Sequence, residues 1–262
     1  MGAVDFRQLE EKFFLTLYEP ENTVLTMPAS DLIIEEDMMR LIDTYGLLIK
    51  TEERSAAAAF FMSWYAGICS AMQHMLFRGD ELLLDLSLSN VTVQLYAGDH
   101  YPLFSFKINE QRFRKIPITG GDAWRKKTLD SFYRENITPL IVTLSRLVQM
   151  SAIPLWGQIV NALYSQMEEE LGDASDEKSR KMIVYPFQML KWGIDASAFG
   201  LRKNPFDIKL RYIEHPTIPE KKIRLKTACC LAYRLNTEFD YCYECPRLNE
   251  KDRALKRANG HC

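Results

Sequence analysis

The sequence predicts an α+β fold in which an antiparallel sheet packs with helices and a small cysteine-bearing unit closes the C-terminal end. Three observations carry that prediction. Apolar residues recur at helical spacing through most of the chain, the period drops to two between residues 81 and 118, and prolines and cysteines gather beyond residue 204.

Phe6, Leu9, Phe13, Phe14 and Leu17 fall at helical spacing, as do Met38, Leu41, Ile42 and Leu48, so the first eighty residues read as helical. Ser55 to Phe77 holds no Asp, Glu, Lys or Arg and is long enough to cross a bilayer. Its alanines (56 to 59, 66, 71) and Ser63, Gly67, Ser70, Gln73 and His74 give it a poor transfer free energy for its length. A buried core helix is therefore expected, and no integral membrane segment.

Leu84, Leu86 and Leu88, then Val91, Val93 and Leu95, alternate with polar partners as half-buried strands do. Turns are expected at Ser89-Asn90, at 97–100 and at 109–111, joining antiparallel strands. Gly120 and Gly121 end that pattern and Asp122 can cap a helix, which Leu129, Phe132, Tyr133, Leu140, Leu144 and Leu147 carry on to Met150. Pro139 should kink or break it. Pro154 opens a helix reaching Leu171, the polar run 172–180 reads as an exposed loop or boundary, and a further helix spans about 181–200. Pro205, Pro216 and Pro219 then separate short extended pieces, so the chain divides into a core at 1–200 and a C-terminal basic segment with the cysteine unit at 201–262.

Composition excludes several classes of function. With 47% hydrophobic and 26% charged residues the 262-residue chain is globular rather than disordered, and its net charge of −2 argues against a nucleic-acid binder. Asp5, Glu10 and Glu11 stand where a secretory signal needs a basic start and an apolar run, and Phe6 lacks the hydroxyl of a myristoylation pattern. Neither a Gly-x-Gly-x-x-Gly turn, a phosphate loop nor a Gly-x-Ser-x-Gly elbow is present. His74, His100, His215 and His261 have no metal spacing and read as isolated core or surface histidines, with His215 the one placed on a turn in the basic segment.

Four of the six cysteines lie within seventeen residues as Cys229-Cys230, eleven residues, then Cys242-x-x-Cys245. A chain without an export signal keeps its thiols reduced, so such a group points to metal binding or catalysis rather than a disulfide framework. A Cys-x2-Cys redox dithiol leaves Cys229 and Cys230 unexplained. Structural zinc suits four thiolates, although its knuckles space ligands two to four residues apart and here two are adjacent. A two-iron cluster offers wider sulfur positions that neighbouring residues can reach. Cys69 reads as a buried structural thiol and Cys262 as a frayed terminal residue. One conflict stands: 223–235 alternates as a strand, which would send Cys229 and Cys230 to opposite faces, so the chain must leave extended geometry near residue 228 if both are ligands.

These residues resemble siderophore-iron reductases of the ferric hydroxamate type, whose C-terminal [2Fe-2S] centre uses a Cys-Cys, about ten residues, Cys-x2-Cys motif. The resemblance covers about 225–247, including Pro246-Arg247, and is echoed by IPLWGQIVNAL at 153–163, similar to a Leu-Trp-Gly helix segment of that family. The spacer here is one residue longer. What the resemblance implies is a cytoplasmic oxidoreductase, a ferric-siderophore reductase whose [2Fe-2S] cluster, held by Cys229, Cys230, Cys242 and Cys245, passes one electron to chelated Fe(III). Without a nucleotide-binding loop, electrons would arrive from a separate donor such as a ferredoxin, a flavodoxin or a reductase. Between 202 and 226 eight Lys or Arg face three acids, making Arg202, Lys203, Lys209 and Arg211 candidates for attracting an anionic chelate or donor, or simply solvated surface. Trp156 is a candidate pocket residue, although its spacing with Leu155, Ile159 and Leu163 is that of a core position.

Overall fold

The computed structural model describes residues 4–258 apart from 79, 80, 118, 219 and 238. The expectations for Cys262, His261 and Pro219 lie outside the described residues. Helix α1 (Phe6–Phe13) begins where the Asp5 carboxylate accepts from the Gln8 N–H and ends at Phe14, whose φ of 60° turns the chain into the two-residue strand β1 (Leu15–Thr16). The opening is not wholly helical, because β2 (Thr23–Pro28) follows. Leu25 and Met27 are buried while Val24 and Thr26 face out, a period of two too short to stand out against its helical surroundings.

Helices α2 (Glu35–Leu48) and α3 (Arg54–Phe77) come next. α3 is the one described helix long and apolar enough to cross a membrane, and 72% of its apolar window is buried inside the protein. It is a core helix, as its alanine content predicts. A Cβ at Gly67 would lie 2.6 Å from the Phe13 carbonyl oxygen, so glycine lets the end of α1 rest on it.

The strands β3 (Leu82–Leu84), β4 (Val91–Ala97), β5 (Pro102–Ile108) and β6 (Phe113–Lys115) occupy the predicted window. Four strands form a sheet in the order β1-β5-β4-β2, antiparallel except for β1 beside β5, and β3 pairs with β6 in a separate ribbon. The 97–100 turn joins β4 to β5 as expected, whereas Ser89-Asn90 belongs to a 3-10 turn rather than a hairpin. Buried Asn90 organises that turn by donating to the Asp85 and Glu110 carbonyls and accepting from the Glu110 N–H.

Helix α4 (Gly121–Phe132) runs through a π turn at Tyr133–Ile137 into α5 (Thr138–Leu147), so Pro139 sits in the first turn of a new segment and the predicted kink is a π bulge. α6 (Ala152–Asp173) is followed by α7 (Glu177–Gln188), whose Asp176 cap accepts from the Ser179 N–H. The loop expected over 172–180 is thus only 174–176. β7 (Tyr212–Glu214) and β8 (Lys222–Arg224) form a small ribbon, and α8 (Glu250–Ala258) ends the described chain. α3 packs along α6 at the centre, with the sheet and α2 against α3, in one continuous apolar core that extends from Leu9 to Phe206. The architecture is α+β.

Candidate metal centre

The alternation through 223–235 ends early: β8 stops at Arg224, the chain bends at 227–228, and a 3-10 turn spans Ala232–Arg234 after Leu231 at φ 65°. Extended geometry is therefore lost at the predicted place. The Cys229 and Cys245 sulfurs lie 3.5 Å apart. The charges of Cys245 and Cys230 both act on the Cys229 thiol, and those of Cys230 and Cys245 act on Cys242, so the two pieces of chain present their thiols to one region. Among the described residues no three Cys, His, Asp or Glu side chains gather at a single point.

Helix α6 fixes the first piece. A Cβ at Gly157 would stand 2.4 Å from the Ala228 Cβ, so only glycine lets the backbone of 227–229 lie on the helix. One residue on, Gln158 donates to the Cys229 carbonyl at 3.0 Å; one turn on, Asn161 donates to the Ala228 carbonyl at 3.1 Å and accepts from the Thr227 N–H at 2.7 Å. Ser165 and Glu168, further along the same face, receive the buried guanidinium of Arg224 at 2.9 and 3.0 Å. The segment echoed in the sequence, LWGQIVNAL, is thus the cradle of the Cys-Cys dipeptide.

Arg253 of α8 fixes the second piece. Its side chain is only 3% exposed, and it donates to the Tyr243, Cys245 and Leu248 carbonyls while lying over the Tyr243 ring. The Cys245 N–H closes a turn on the Cys242 carbonyl at 2.9 Å, so Cys242 and Cys245 point from one knuckle. The two pieces are joined by the Lys226 N–H donating to the Glu244 carbonyl at 3.0 Å.

Burial holds both the Cys229 and the Cys242 thiol above their usual range, and at each a donor opposes it. Burial pushes the Cys229 thiol up to about 12, against the Leu231 N–H that donates to its sulfur at 3.4 Å. Burial likewise raises Cys242, with Lys226 opposing it from 3.7 Å. Burial pulls Lys226 down, but Cys242, Glu244 and Cys230 outweigh it and the ammonium is held above its usual range. Four sulfurs with one N–H and one ammonium aimed at them, and Glu244 turned to Lys226, fit a thiolate-bound metal group of net negative charge. Between the two pieces Tyr241 packs on Tyr233 at a 37° tilt with ring centroids 4.5 Å apart, and Arg234 and Arg247 both lie over Tyr233.

The other candidates are placed elsewhere. Trp156 is wholly buried, donates to the Phe199 carbonyl at 3.1 Å and packs on Tyr133 and Phe199, so it occupies a core position. Arg202, Lys203, Lys209 and Arg211 are exposed, line none of the described cavities and form no ion pair among the described residues. His215 staples its own turn, its Nδ1 accepting from the Thr217 and Ile218 N–H groups. Cys69 is buried, as expected. Gln158, Asn161 and Arg253 escaped sequence reasoning, although the first two lie inside the echoed segment. No family model matches the chain, and no curated protein matches it.

Proposed function

We propose that Cys229, Cys230, Cys242 and Cys245 hold a [2Fe-2S] cluster and that the protein is a cytoplasmic ferric-siderophore reductase. The observation that carries this reading is the gathering of thiols from two short pieces of chain: the Cys229 and Cys245 sulfurs lie 3.5 Å apart, and Cys230 and Cys242 lie within electrostatic reach of them. The adjacent ligands Cys229 and Cys230, closer in sequence than the two to four residues of a zinc knuckle, favour two irons over one zinc ion. When bound, the cluster supplies a one-electron reductant.

The chain's own groups set its working conditions. The Leu231 N–H on the Cys229 sulfur and the Lys226 ammonium beside Cys242 stabilise negative charge, and so raise the potential above that of a bare thiolate site. Arg253, Asn161 and Gln158 hold the ligand backbone so that little rearranges as charge changes. One electron passes to chelated Fe(III), giving Fe(II), which hard oxygen chelators hold far less tightly. A separate donor, a ferredoxin, flavodoxin or reductase, restores the electron. Anaerobic mixing of the reduced protein with several ferric chelates tests this: oxidation of the protein with matching release of Fe(II) is expected, and a reduced spectrum unchanged by every chelate would defeat it.

A further inference from the structure

We propose that the face around Trp192 is a membrane-surface contact, which holds the protein against an anionic bilayer through one inserted indole and the cations Lys126, Lys127, Arg202 and Lys203. The contact is independent of what the cysteines bind.

Trp192 stands on the π turn Met189–Gly193 that ends α7. It is 70% exposed, and the Lys191 ammonium lies 5.4 Å from the centre of its ring. The turn is pinned from the next stretch of chain: the Asn204 amide donates to the Leu190 carbonyl at 2.8 Å and to the Ile194 carbonyl at 2.9 Å, one on each side of Trp192 in sequence. The same clasp sets Arg202 and Lys203, both exposed, beside the turn. Helix α4 packs against the turn as well. Its exposed Lys126 lies within electrostatic reach of Asp195, three residues beyond Trp192, and exposed Lys127 follows it.

The charge balance of the face decides what it fits. Lys126, Lys127, Arg202 and Lys203 form no ion pair among the described residues, whereas nearby acids are already engaged: Asp207 with Lys191 at 3.6 Å and Asp130 with Arg134 at 3.1 Å. Asp195, which accepts from the Ser197 N–H, is the one other carboxylate between 189 and 207. A protruding indole ringed by long unpaired cations matches the headgroup layer of an anionic bilayer, where the ring takes the interfacial level that tryptophan prefers and the cations meet lipid phosphates. A protein partner fits the face less well. Trp192 and the four cations line none of the described cavities, so they offer no pocket to a partner's anchor. Among the described residues none of them hydrogen-bonds a cysteine sulfur, where a redox partner has to dock.

Co-sedimentation of the full-length protein, as purified, with vesicles of phosphatidylglycerol and phosphatidylethanolamine and with vesicles of phosphatidylcholine tests this. The protein should sediment with the anionic vesicles alone and be released as salt is raised. Brominated phosphatidylglycerol should quench part of its tryptophan fluorescence. Trp192→Ser should remove that quenching and weaken partitioning by about tenfold, and Arg202→Glu combined with Lys203→Glu should weaken it by about tenfold or more, both with unchanged circular dichroism. Equal binding to both kinds of vesicle, or wild-type partitioning by either variant, overturns the contact. So does binding to neither, and capture of the same protein on polyglutamate beads would then give the face to an acidic protein instead.

Discussion

The body up to Phe206 and the segment beyond it are held together by different physics. In the body, aromatic and aliphatic side chains close a single core: Tyr45, Phe61 and Phe104 meet on the sheet side, and Tyr133, Trp156 and Phe199 on the helix side. Each contributes through area removed from water, roughly 25 cal/mol per Å². In the C-terminal segment the buried apolar side chains are few, Leu225, Leu231, Tyr243 and Leu248 among them, and the chain is tied instead through backbone carbonyls gripped by Asn161, Gln158 and Arg253. In the proposed reading, four thiolates on a metal group would cross-link this region, which is short of core. The proposed metal group would therefore complete the fold of the tail, whereas the body closes its own core.

The strongest way to break this comparison is to remove a ligand. Cys242→Ser should abolish the visible spectrum and expose 207–258 to hydrogen exchange, while amides of α3 and α6 stay protected. Global loss of protection would show that body and tail are one cooperative unit. Next comes Arg253→Ala, which strips three buried carbonyls of their donor and should cost the tail on the order of 3 kcal/mol, read as a large drop in bound iron per chain. Asn161→Ala should follow at about 1–3 kcal/mol, seen as faster exchange at Thr227 and slower reconstitution with iron and sulfide, because its amide serves both Thr227 and Ala228. Lys226→Gln removes a cation beside Cys242 and should lower the midpoint potential by some tens of millivolts, where about 59 mV is tenfold for one electron; a rise would contradict the sign. Smallest is Trp156→Phe, which loses one buried hydrogen bond in the body, about 1 kcal/mol in thermal unfolding, and should leave the spectrum untouched.

What could be read from the sequence follows the same division. The cysteine spacing is local, so the grouping of the thiols and the need to leave extended geometry near 228 were both legible, and Leu231 at φ 65° marks the turn. The window of alternation at 81–118 gave the main hairpin, but pairing β2 with β4 joins residues some seventy positions apart, and a six-residue strand beside helices carries too little periodicity to be separated from them. Charge counting in the basic segment treats Arg224 and Lys226 like their neighbours. One is buried against Glu168 and Ser165, the other lies on a sulfur, and only the packing of α6 distinguishes them from Lys209 or Arg211. The cationic face around Trp192 had no signature at all, since its parts come from distant stretches that tertiary structure alone brings together. Gly157 is the intermediate case: its place in a Trp-Gly-Gln helix was noticed, but the reason, an Ala228 Cβ 2.4 Å from where its own would be, needs the fold.

The most direct measurement is the count of iron, acid-labile sulfide and zinc in the protein as purified without oxygen, taken with the electron paramagnetic resonance spectrum after one-electron reduction. Two irons and two sulfides per chain, with an S = 1/2 signal, are expected of a [2Fe-2S] cluster held by the four thiolates. One zinc per chain with no iron and no signal would contradict it.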